Sequence, residues 1–515
     1  MSHDVAAPGP GGRAPAQDGP DPMRWWTLGA VCVATFMLLL DITIVNVAIP
    51  TIRDDLGASF QDLQWVVDAY ALTLASFLLT AGSLADRFGR RRVFVLGLGL
   101  FTVASLLCGL STSPLALNLS RGLQGIGGAA MFATSLALLA SAFRGRERGT
   151  ALGIWGATTG ASVAVGPLVG GVLVEHVSWQ SIFFVNLPIG VAAIAVSLRT
   201  VTESRDPNAA RIDWAGLVTL SGGLFALIFA LVRGNSEGWG SGLILGLFAL
   251  AAVLLVAFVA VEGRQERPMF DLSLLRKPTF VGASLVAFCL SASMFAMFLY
   301  LTLYVQNSLG YAPLDAGLRF LPITLLSFVF AAVSGNLTER VPVRLLLGGG
   351  LGLVGLGLLL MTGLHAGSSW THLLPGFLVA GAGIGLTNPA IASSAVGVVD
   401  PRRTGMASGV NSTFRQVGIA TGIAALGAIF QSSVTGRVTD ALAASGRPPG
   451  SVRLPPPEIL VQGDPRVVGP LREAFLTGYT GALSEILLIA GIVALVGAVG
   501  ALVLVRRKDF VTHGH

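Results

Sequence analysis

Long apolar runs, separated by short polar segments, fill most of the chain. Each run is about 20 residues long, which is the length that an α-helix needs to cross ~30 Å of hydrocarbon. The pattern predicts fourteen membrane-spanning helices, at residues 26–49, 62–84, 93–112, 115–141, 150–174, 182–201, 214–233, 241–262, 279–305, 315–337, 343–364, 371–396, 405–430 and 479–505.

The basic side chains indicate how these helices are oriented. If both termini are cytoplasmic, 23 of the 33 Lys and Arg residues lie in cytoplasmic segments, and the short outer loops hold three. Short basic loops stay on the cytoplasmic side of a membrane. We therefore expect a multi-pass protein of the plasma membrane with both termini in the cytoplasm.

The composition excludes a string of soluble domains. Charged residues make up 12% of the chain and the mean hydropathy is +0.75, whereas about a quarter of a soluble protein is charged. The net charge of +6 reflects the cytoplasmic loops, so no nucleic-acid partner is expected. Residues 1–23 are rich in Pro, Gly and Ala and are predicted to be a disordered tail.

The most basic short segment is G-S-L-A-D-R-F-G-R-R-R, at residues 82–92. Its four arginines and single acid, Asp86, stand between two apolar runs, which predicts a tight turn at the cytoplasmic interface. Gly82 and Gly89 permit a sharp turn and a close approach between helices. A generic basic loop that only sets topology is the alternative interpretation.

A degenerate copy of this segment, G-N-L-T-E-R, lies at residues 335–340. In this copy Glu339 corresponds to Asp86. The two copies lie 253 residues apart, close to half of the chain. Repeated halves are common in membrane transporters.

The basic segment resembles the signature loop of the major facilitator superfamily (MFS), which joins the second and third spans. The resemblance implies that Asp86, with Arg87 and Arg90, latches the two halves together on the cytoplasmic side. It further implies an all-α membrane protein with two six-helix bundles and two inserted helices, as in the fourteen-span drug:proton antiporters of that family. The expected divisions are an N-terminal bundle at 24–201, an inserted hairpin with its linkers at 202–277, a C-terminal bundle at 278–507 that includes a long extracellular loop at 431–477, and a cytoplasmic tail at 508–515.

Three ionisable residues interrupt the first bundle's apolar runs: Asp41, Asp68 and Arg121. At 1.5 Å per residue each lies ~10–13 Å inside the outer end of its helix, which predicts a shared polar pocket. A charge inside a membrane is costly and is a functional candidate by default. The resemblance implies proton coupling for Asp41 and Arg121. Many MFS members have an uncharged residue at the position of Asp68, but some exporters of cationic drugs have an acid there, so Asp41 and Asp68 are candidates both for proton coupling and for binding a cationic drug. Gln124 is interpreted as structural. A structural Asp41–Arg121 pair and a hydrated Asp68 are the alternatives.

The fifth run contains G-A-T-T-G-A-S-V-A-V-G-P-L-V-G-G, at residues 156–171. It resembles the antiporter motif that is typical of exporters in the MFS. Plain glycine packing between helices is the alternative. The matched positions are Gly156, Gly160, Gly166, Pro167, Gly170 and Gly171.

Candidates for substrate contact also occur in the second half. Met297, Phe298, Tyr300 and Tyr304 could line an adaptable drug pocket, although packing or lipid contact would explain them equally well. Glu485 is a further candidate for substrate binding or for a structural role. Arg415 is interpreted as structural.

Lysine occurs only at positions 277 and 508, and neither forms the G-K-[ST] motif of an ATP-binding loop. A gradient must therefore drive any pumping. Together with this, the resemblance to the drug:proton antiporters implies a proton-coupled antiporter that exports amphipathic, cationic drugs by alternating access. Its expected partners are the lipid bilayer, small-molecule drugs and protons, with no cofactor or metal, and the chain is expected to act as a monomer.

Two other functions are compatible with this sequence. One is export of a single natural product, such as an antibiotic, a lipid or a peptide. The other is a non-transporting membrane sensor or scaffold. An enzyme is disfavoured because the histidines form no cluster of metal-ligand spacing with cysteines or carboxylates.

Overall fold

The computed structural model describes residues 23–143, 145–204, 213–265, 270–337, 340–399, 404–444 and 465–510. Within these ranges the chain forms helices joined by turns, and no strand occurs. The α-helices are α1 Arg24–Leu56, α2 Phe60–Phe88, α3 Arg90–Gly109, α4 Pro114–Ala142, α5 Gly145–His176, α6 Ser181–Phe184, α7 Asn186–Thr200, α8 Trp214–Glu237, α9 Gly242–Glu262, α10 Pro278–Leu290, α11 Ala296–Leu303, α12 Pro313–Arg319, α13 Leu321–Leu337, α14 Val343–Leu360, α15 Leu374–Gly397, α16 Thr404–Ala444 and α17 Pro465–Leu504.

Helices α1 to α7 pack as the first bundle, and α10 to α17 pack as the second. Capping residues mark several starts. Ser59 and Asp62 form a capping box at the start of α2, and Ser113 caps α4 directly before Pro114. In the second bundle, π-helical turns at Ser291–Phe295 and Tyr304–Ser308 interrupt the first span.

The two bundles meet along two helix pairs, α2 with α16 and α5 with α13. Both contacts need glycine. A Cβ on Gly335 of α13 would lie 2.4 Å from the carbonyl oxygen of Gly149, and one on Gly409 of α16 would lie 3.0 Å from Cα of Leu79. Exchanging the two halves of the molecule would turn one helix pair into the other. This is the symmetry that a repeat of two halves produces.

Helices α8 and α9 form the inserted hairpin. Helix α8 lies between α2 and α16 and contacts both bundles, whereas α9 packs mainly on α8. Only 17% of the α9 membrane segment is buried. Because α9 carries apolar residues on all sides, most of its surface suits contact with lipid.

Twelve helices within the described ranges are long and apolar enough to cross a membrane. Helix α13 supplies a shorter apolar stretch, Leu321–Gly335, and α5 is not among the twelve. Every predicted span nevertheless falls on a helix. The predicted all-α architecture is confirmed within the described ranges, and the count of fourteen spans stays a prediction.

The segment 431–477, predicted as a long extracellular loop, is helical in its described parts, and its extracellular position stays a prediction. Helix α16 continues to Ala444 and α17 already begins at Pro465. Hydropathy marks where the apolar run ends, but a helix can continue into water with polar residues on it. The predicted disordered tail, except Met23, and the end of the C-terminal tail lie outside the described residues.

Candidate functional site

Asp86 lies at the end of α2, on the end of the molecule that holds the α2–α3 turn, here called the Arg-rich face. Its Oδ1 accepts hydrogen bonds from Nε and Nη2 of Arg90, at 3.0 and 2.8 Å. Its Oδ2 accepts one from the backbone N–H of Met406 in the first turn of α16, at 2.8 Å. A carboxylate at a helix N-terminus is favourable because the free N–H groups carry positive partial charge. Asp86 therefore bonds both halves of the molecule.

The turn between α2 and α3 depends on Gly89, whose φ is 110°. A Cβ at Gly89 would lie 2.5 Å from the carboxyl group of Glu203. That carboxylate accepts from the backbone N–H groups of Arg91 and Arg92, at 3.1 and 3.3 Å. Glu203 thus covers the start of α3, a role that the sequence did not reveal because Glu203 stands in a loop more than a hundred residues away.

Two other predicted gating residues, Gly82 and Arg87, lie nearby. Gly82 is buried in the last turns of α2, and the guanidinium of Arg87 lies 5.5 Å from the ring centroid of Phe88. Glu339 lies outside the described residues. The gating role of this set stays a prediction.

A second polar cluster lies inside the first bundle, where Asp41 of α1 and Arg121 of α4 are both 1% exposed. Nη1 of Arg121 forms an ion pair with Oδ2 of Asp41 and also donates to Oε1 of Gln124, at 2.6 Å. Nε of Arg121 donates to the carbonyl oxygen of Val66, at 2.8 Å. Gln124 completes the ring by donating from Nε2 to Oδ1 of Asp41, at 2.9 Å.

Neutral groups that the sequence analysis missed complete this cluster. Nδ2 of Asn186, at the start of α7, donates to Oδ1 of Asp41 at 3.2 Å, and Ser105 of α3 accepts from Gln124 at 2.8 Å. The ring of Tyr70 lies 4.3 Å from the guanidinium carbon of Arg121, a cation–π distance. Asn186 lies in the run W-Q-S-I-F-F-V-N-L-P-I-G, at residues 179–190, where Gln180 is the other side-chain amide. An amide inside this apolar run is the signal that could have identified Asn186.

Asp68 does not belong to this cluster, so the predicted pocket shared by all three ionisable residues is wrong. Val66 and Tyr70 face the interior of the first bundle, and Asp68 lies on the other side of α2. Neighbours three or four residues apart share a helix face, and Trp65 stacks on Phe229 of α8, with 5.4 Å between ring centroids. Asp68 is therefore half-buried on the face of α2 that packs against the inserted hairpin.

The glycines of the antiporter motif bring α5 against α1 and against the second bundle. A Cβ on Gly166 would lie 1.8 Å from Oγ1 of Thr43, and one on Gly170 would lie 3.0 Å from Ile44. A Cβ on Gly156 would lie 3.3 Å from Cγ of Pro389 on α15. Gly171 is half-buried in α5. Gly160 and Pro167 also belong to α5, but their surroundings lie outside the described set.

The side chains predicted to line a drug pocket are packed within the second bundle. Met297, Tyr300 and Tyr304 are buried in its core. The hydroxyl of Tyr300 donates to the carbonyl oxygen of Ile423 at 2.8 Å, and that of Tyr304 donates to the carbonyl oxygen of Ser368 at 3.3 Å. The ring of the partly buried Phe298 packs on Phe320. Their role in drug binding stays a prediction, and the contacts favour the packing alternative.

The last two candidates are polar contacts of the second bundle. Glu485 of α17 accepts from Ser433 at 2.7 Å and pairs with Arg437 at 3.2 Å, both on α16, and its side chain is 41% exposed. Arg415 of α16 is buried and donates to Oδ1 of Asn388 on α15, at 3.1 Å. Within the described ranges, no group of three His, Cys, Asp or Glu side chains is placed to hold a metal ion.

This arrangement of two packed bundles can now be set against known proteins. The Major Facilitator Superfamily profile matches residues 31–423. The chain belongs to this superfamily. It is a multi-pass membrane transporter and not an enzyme.

Two MFS relatives match most of the chain. The Tetracenomycin C resistance and export protein of Streptomyces glaucescens is 35% identical over 493 residues, which covers 93% of this chain and 91% of that protein. The Multidrug resistance protein Stp of Mycobacterium tuberculosis is 37% identical over 404 residues, covering 78% of this chain and 75% of that protein.

Among solved structures, the human organic anion transporter MFSD10 (TETRAN) aligns with a TM-score of 0.62 at 15% identity. The alignment covers 92% of this chain and 100% of that one. At this identity the likeness concerns the MFS fold alone.

Proposed function

We propose that this chain is a proton-coupled antiporter that exports amphipathic, cationic drugs from the cell by alternating access between its two bundles. It acts in the plasma membrane, with the Arg-rich face and both termini in the cytoplasm. The observation that carries the proposal is the buried Asp41–Arg121 pair, which is held inside the first bundle by Gln124 and Asn186.

A buried ion pair is stable only while both partners are charged. When Asp41 takes up a proton, Arg121 loses its counter-charge but keeps the carbonyl of Val66 and the ring of Tyr70. The protonation of Asp41 therefore changes the free energy with which α1 packs on α4. In the conformation described here, Asp41 is enclosed by Arg121, Gln124 and Asn186, and proton loading requires the conformation in which this cluster opens.

Asp86 links this step to the opening of the Arg-rich face. It accepts from Arg90 in its own half and from the N–H of Met406 in the other half. Breaking the second bond separates the start of α16 from the end of α2. Drug then enters from the cytoplasm and leaves on the other side after the contact has reformed.

The relatives support export of drugs, because their names state multidrug resistance and tetracenomycin C resistance and export. A second candidate function follows from the same names. The alignment with a protein that is named for one antibiotic covers 93% of this chain. This similarity favours export of a single natural product. A panel of cationic dyes and aromatic antibiotics separates the two, since a multidrug exporter lowers the accumulation of several of them.

The test of coupling uses purified protein in proteoliposomes with a pH-sensitive dye inside. Adding ethidium should drive proton movement in the wild type, and Asp41→Asn should abolish that movement while ethidium still binds. Asp41→Glu should keep part of it, and Asp315→Asn, which removes an exposed acid far from the cluster, should leave it unchanged. Normal proton movement in a folded Asp41→Asn protein would remove Asp41 from the mechanism, and efflux insensitive to a protonophore would remove proton coupling altogether.

A further inference from the structure

The inserted helix α8 covers the face of α2 on which Asp68 lies. Residues 65, 68, 72 and 75 follow one another at intervals of three or four, so they share that face. Leu72 and Ala75 pack on Ile228 of α8, and Trp65 stacks on Phe229. The carboxyl group of Asp68 is thus placed at the junction of the first bundle and the hairpin.

Helix α8 brings a positive charge to the same junction. The guanidinium of Arg233 lies 5.9 Å from the ring centroid of Trp65, one helical turn before Asp68. Arg233 is 5% exposed, so its positive charge lies in the partly buried junction that also holds Asp68. On its other side, Nη2 of Arg233 pairs with Oε1 of Glu237 at 3.0 Å.

The guanidinium therefore lies beside the face of α2 that carries Asp68, and the carboxylate that it pairs with is that of Glu237 on α8. Asp68 is half-buried, whereas the Glu237 side chain is 38% exposed. A positively charged ligand that approaches Asp68 meets a site where a positive charge is already present. Like charges in one partly buried site oppose each other.

We propose that Arg233 is a built-in competitor for the organic cation that Asp68 binds, so that the inserted hairpin sets how strongly cationic cargo is held. The inference rests on the proposed cation role of Asp68. Cargo bound at Asp68 repels the guanidinium of Arg233 from this face of α2, and Glu237, one turn further along α8, retains it. When cargo leaves, Arg233 returns to the ring of Trp65, and its charge beside the site prevents the exporter from holding its cation too tightly for release.

The experiment measures ethidium binding by fluorescence to the purified full-length protein in lipid nanodiscs, without any gradient. Arg233→Gln should tighten binding about tenfold, the ratio that ~1.4 kcal/mol represents, and Asp68→Asn should weaken it. In the Asp68→Asn background, Arg233→Gln should change the affinity less than about twofold, because the competition no longer exists. Arg233→Lys keeps the charge and should stay close to the wild type.

Glu237→Gln supplies a test of opposite sign. It removes the alternative partner of Arg233, so ethidium binding should weaken. The matched control is Arg319→Gln, which removes another guanidinium that lies on an aromatic ring, that of Tyr311, and that pairs with an acid four residues away. This control should leave the affinity unchanged.

The outcomes separate this inference from the proposed function. If Asp68→Asn weakens binding but Arg233→Gln does not tighten it, the competition is refuted and the cation site stands. If Asp68→Asn has no effect, the cation role of Asp68 and the competition are refuted together. Proton coupling is tested separately, since these measurements use no proton gradient.

Discussion

The Asp41–Arg121 pair places two opposite charges deep in the first bundle, and each partner also bonds to neutral groups. Gln124 contacts both, donating to Asp41 and accepting from Arg121. Such a network holds the two charges in one geometry and leaves little access for water. Desolvating two charges is costly, and their attraction offsets that cost only while both are present.

This coupling leads to a prediction about stability. Arg121→Gln should lower the free energy of unfolding by ~3–5 kcal/mol, because it leaves the carboxylate of Asp41 buried without a counter-charge. The double variant Asp41→Asn/Arg121→Gln should recover most of that loss, although transport stays impaired. Thermal unfolding of the purified proteins in detergent provides the measurement. A double variant less stable than either single variant would contradict a tightly coupled pair.

At this scale the sequence revealed charges better than neutral partners. Asp41 and Arg121 could be singled out, since ionisable residues are rare inside apolar runs. Asn186 and Ser105 could not be linked to them, because neutral polar residues occur widely in membrane helices and their contacts span 145 and 81 positions of the chain. Asp68 was predicted to share the pocket of Asp41 and Arg121 but lies on another face of its helix, since depth along a helix does not specify the direction of a side chain.

At the scale of helices, the apolar runs predicted nearly all of the architecture. Each run is a helix because backbone groups must bond within the segment when lipid surrounds it. The lengths of α16 and α17 were underestimated, because their ends leave the apolar run while the helix continues. The position of α8 between α2 and α16 could not be predicted, since it depends on contacts between helices that are distant in sequence.

The contact between α1 and α5 offers a prediction for an element pair. Gly166→Ala should lower the free energy of unfolding by ~1–3 kcal/mol, since the added methyl group would lie 1.8 Å from Oγ1 of Thr43 and the helices must separate. Thr43→Ala in the same chain should recover part of the loss. Gly29→Ala is the control, because no atom lies within 4 Å of a Cβ at that position. The temperature at which each variant leaves the monodisperse peak in size-exclusion chromatography is the readout, and equal values for both glycine variants would show that the close approach is unimportant.

At the scale of the whole molecule, the two bundles are joined at the Arg-rich face by packed glycines and by the hydrogen bond from Met406 to Asp86. A hydrogen bond to a charged group is worth ~1.5–3 kcal/mol. That amount corresponds to a roughly tenfold or larger change in the population of a two-state equilibrium. The sequence predicted a latch at Asp86 from family resemblance, but not its partner, which is a backbone N–H and carries no residue identity.

Asp86→Asn should therefore shift the protein towards the conformation in which the Arg-rich face is open. Spin labels at two exposed positions of this face, 88 in the first half and 340 in the second, would report the change as a longer distance distribution in pulsed electron resonance. The fraction of open molecules should rise about tenfold. Asp315→Asn, at an exposed acid on α12, should leave the distribution unchanged. An unaltered distribution in Asp86→Asn would show that the bond does not hold the face closed.

Helix α8 is hydrogen-bonded to the first bundle near one of its ends and to the second bundle near the other. Ser221 shares a hydrogen bond with Thr80 of the first bundle near the Arg-rich face, whereas Asn235 donates to the carbonyl oxygen of Ala424 of the second bundle towards the other end. Fourteen residues of helix separate these two attachment points, a length of ~21 Å. A rod of fixed length between two moving bodies lets them tilt but not draw apart. The hairpin would therefore limit the angle through which the bundles can rock, and a chain without it would swing more widely.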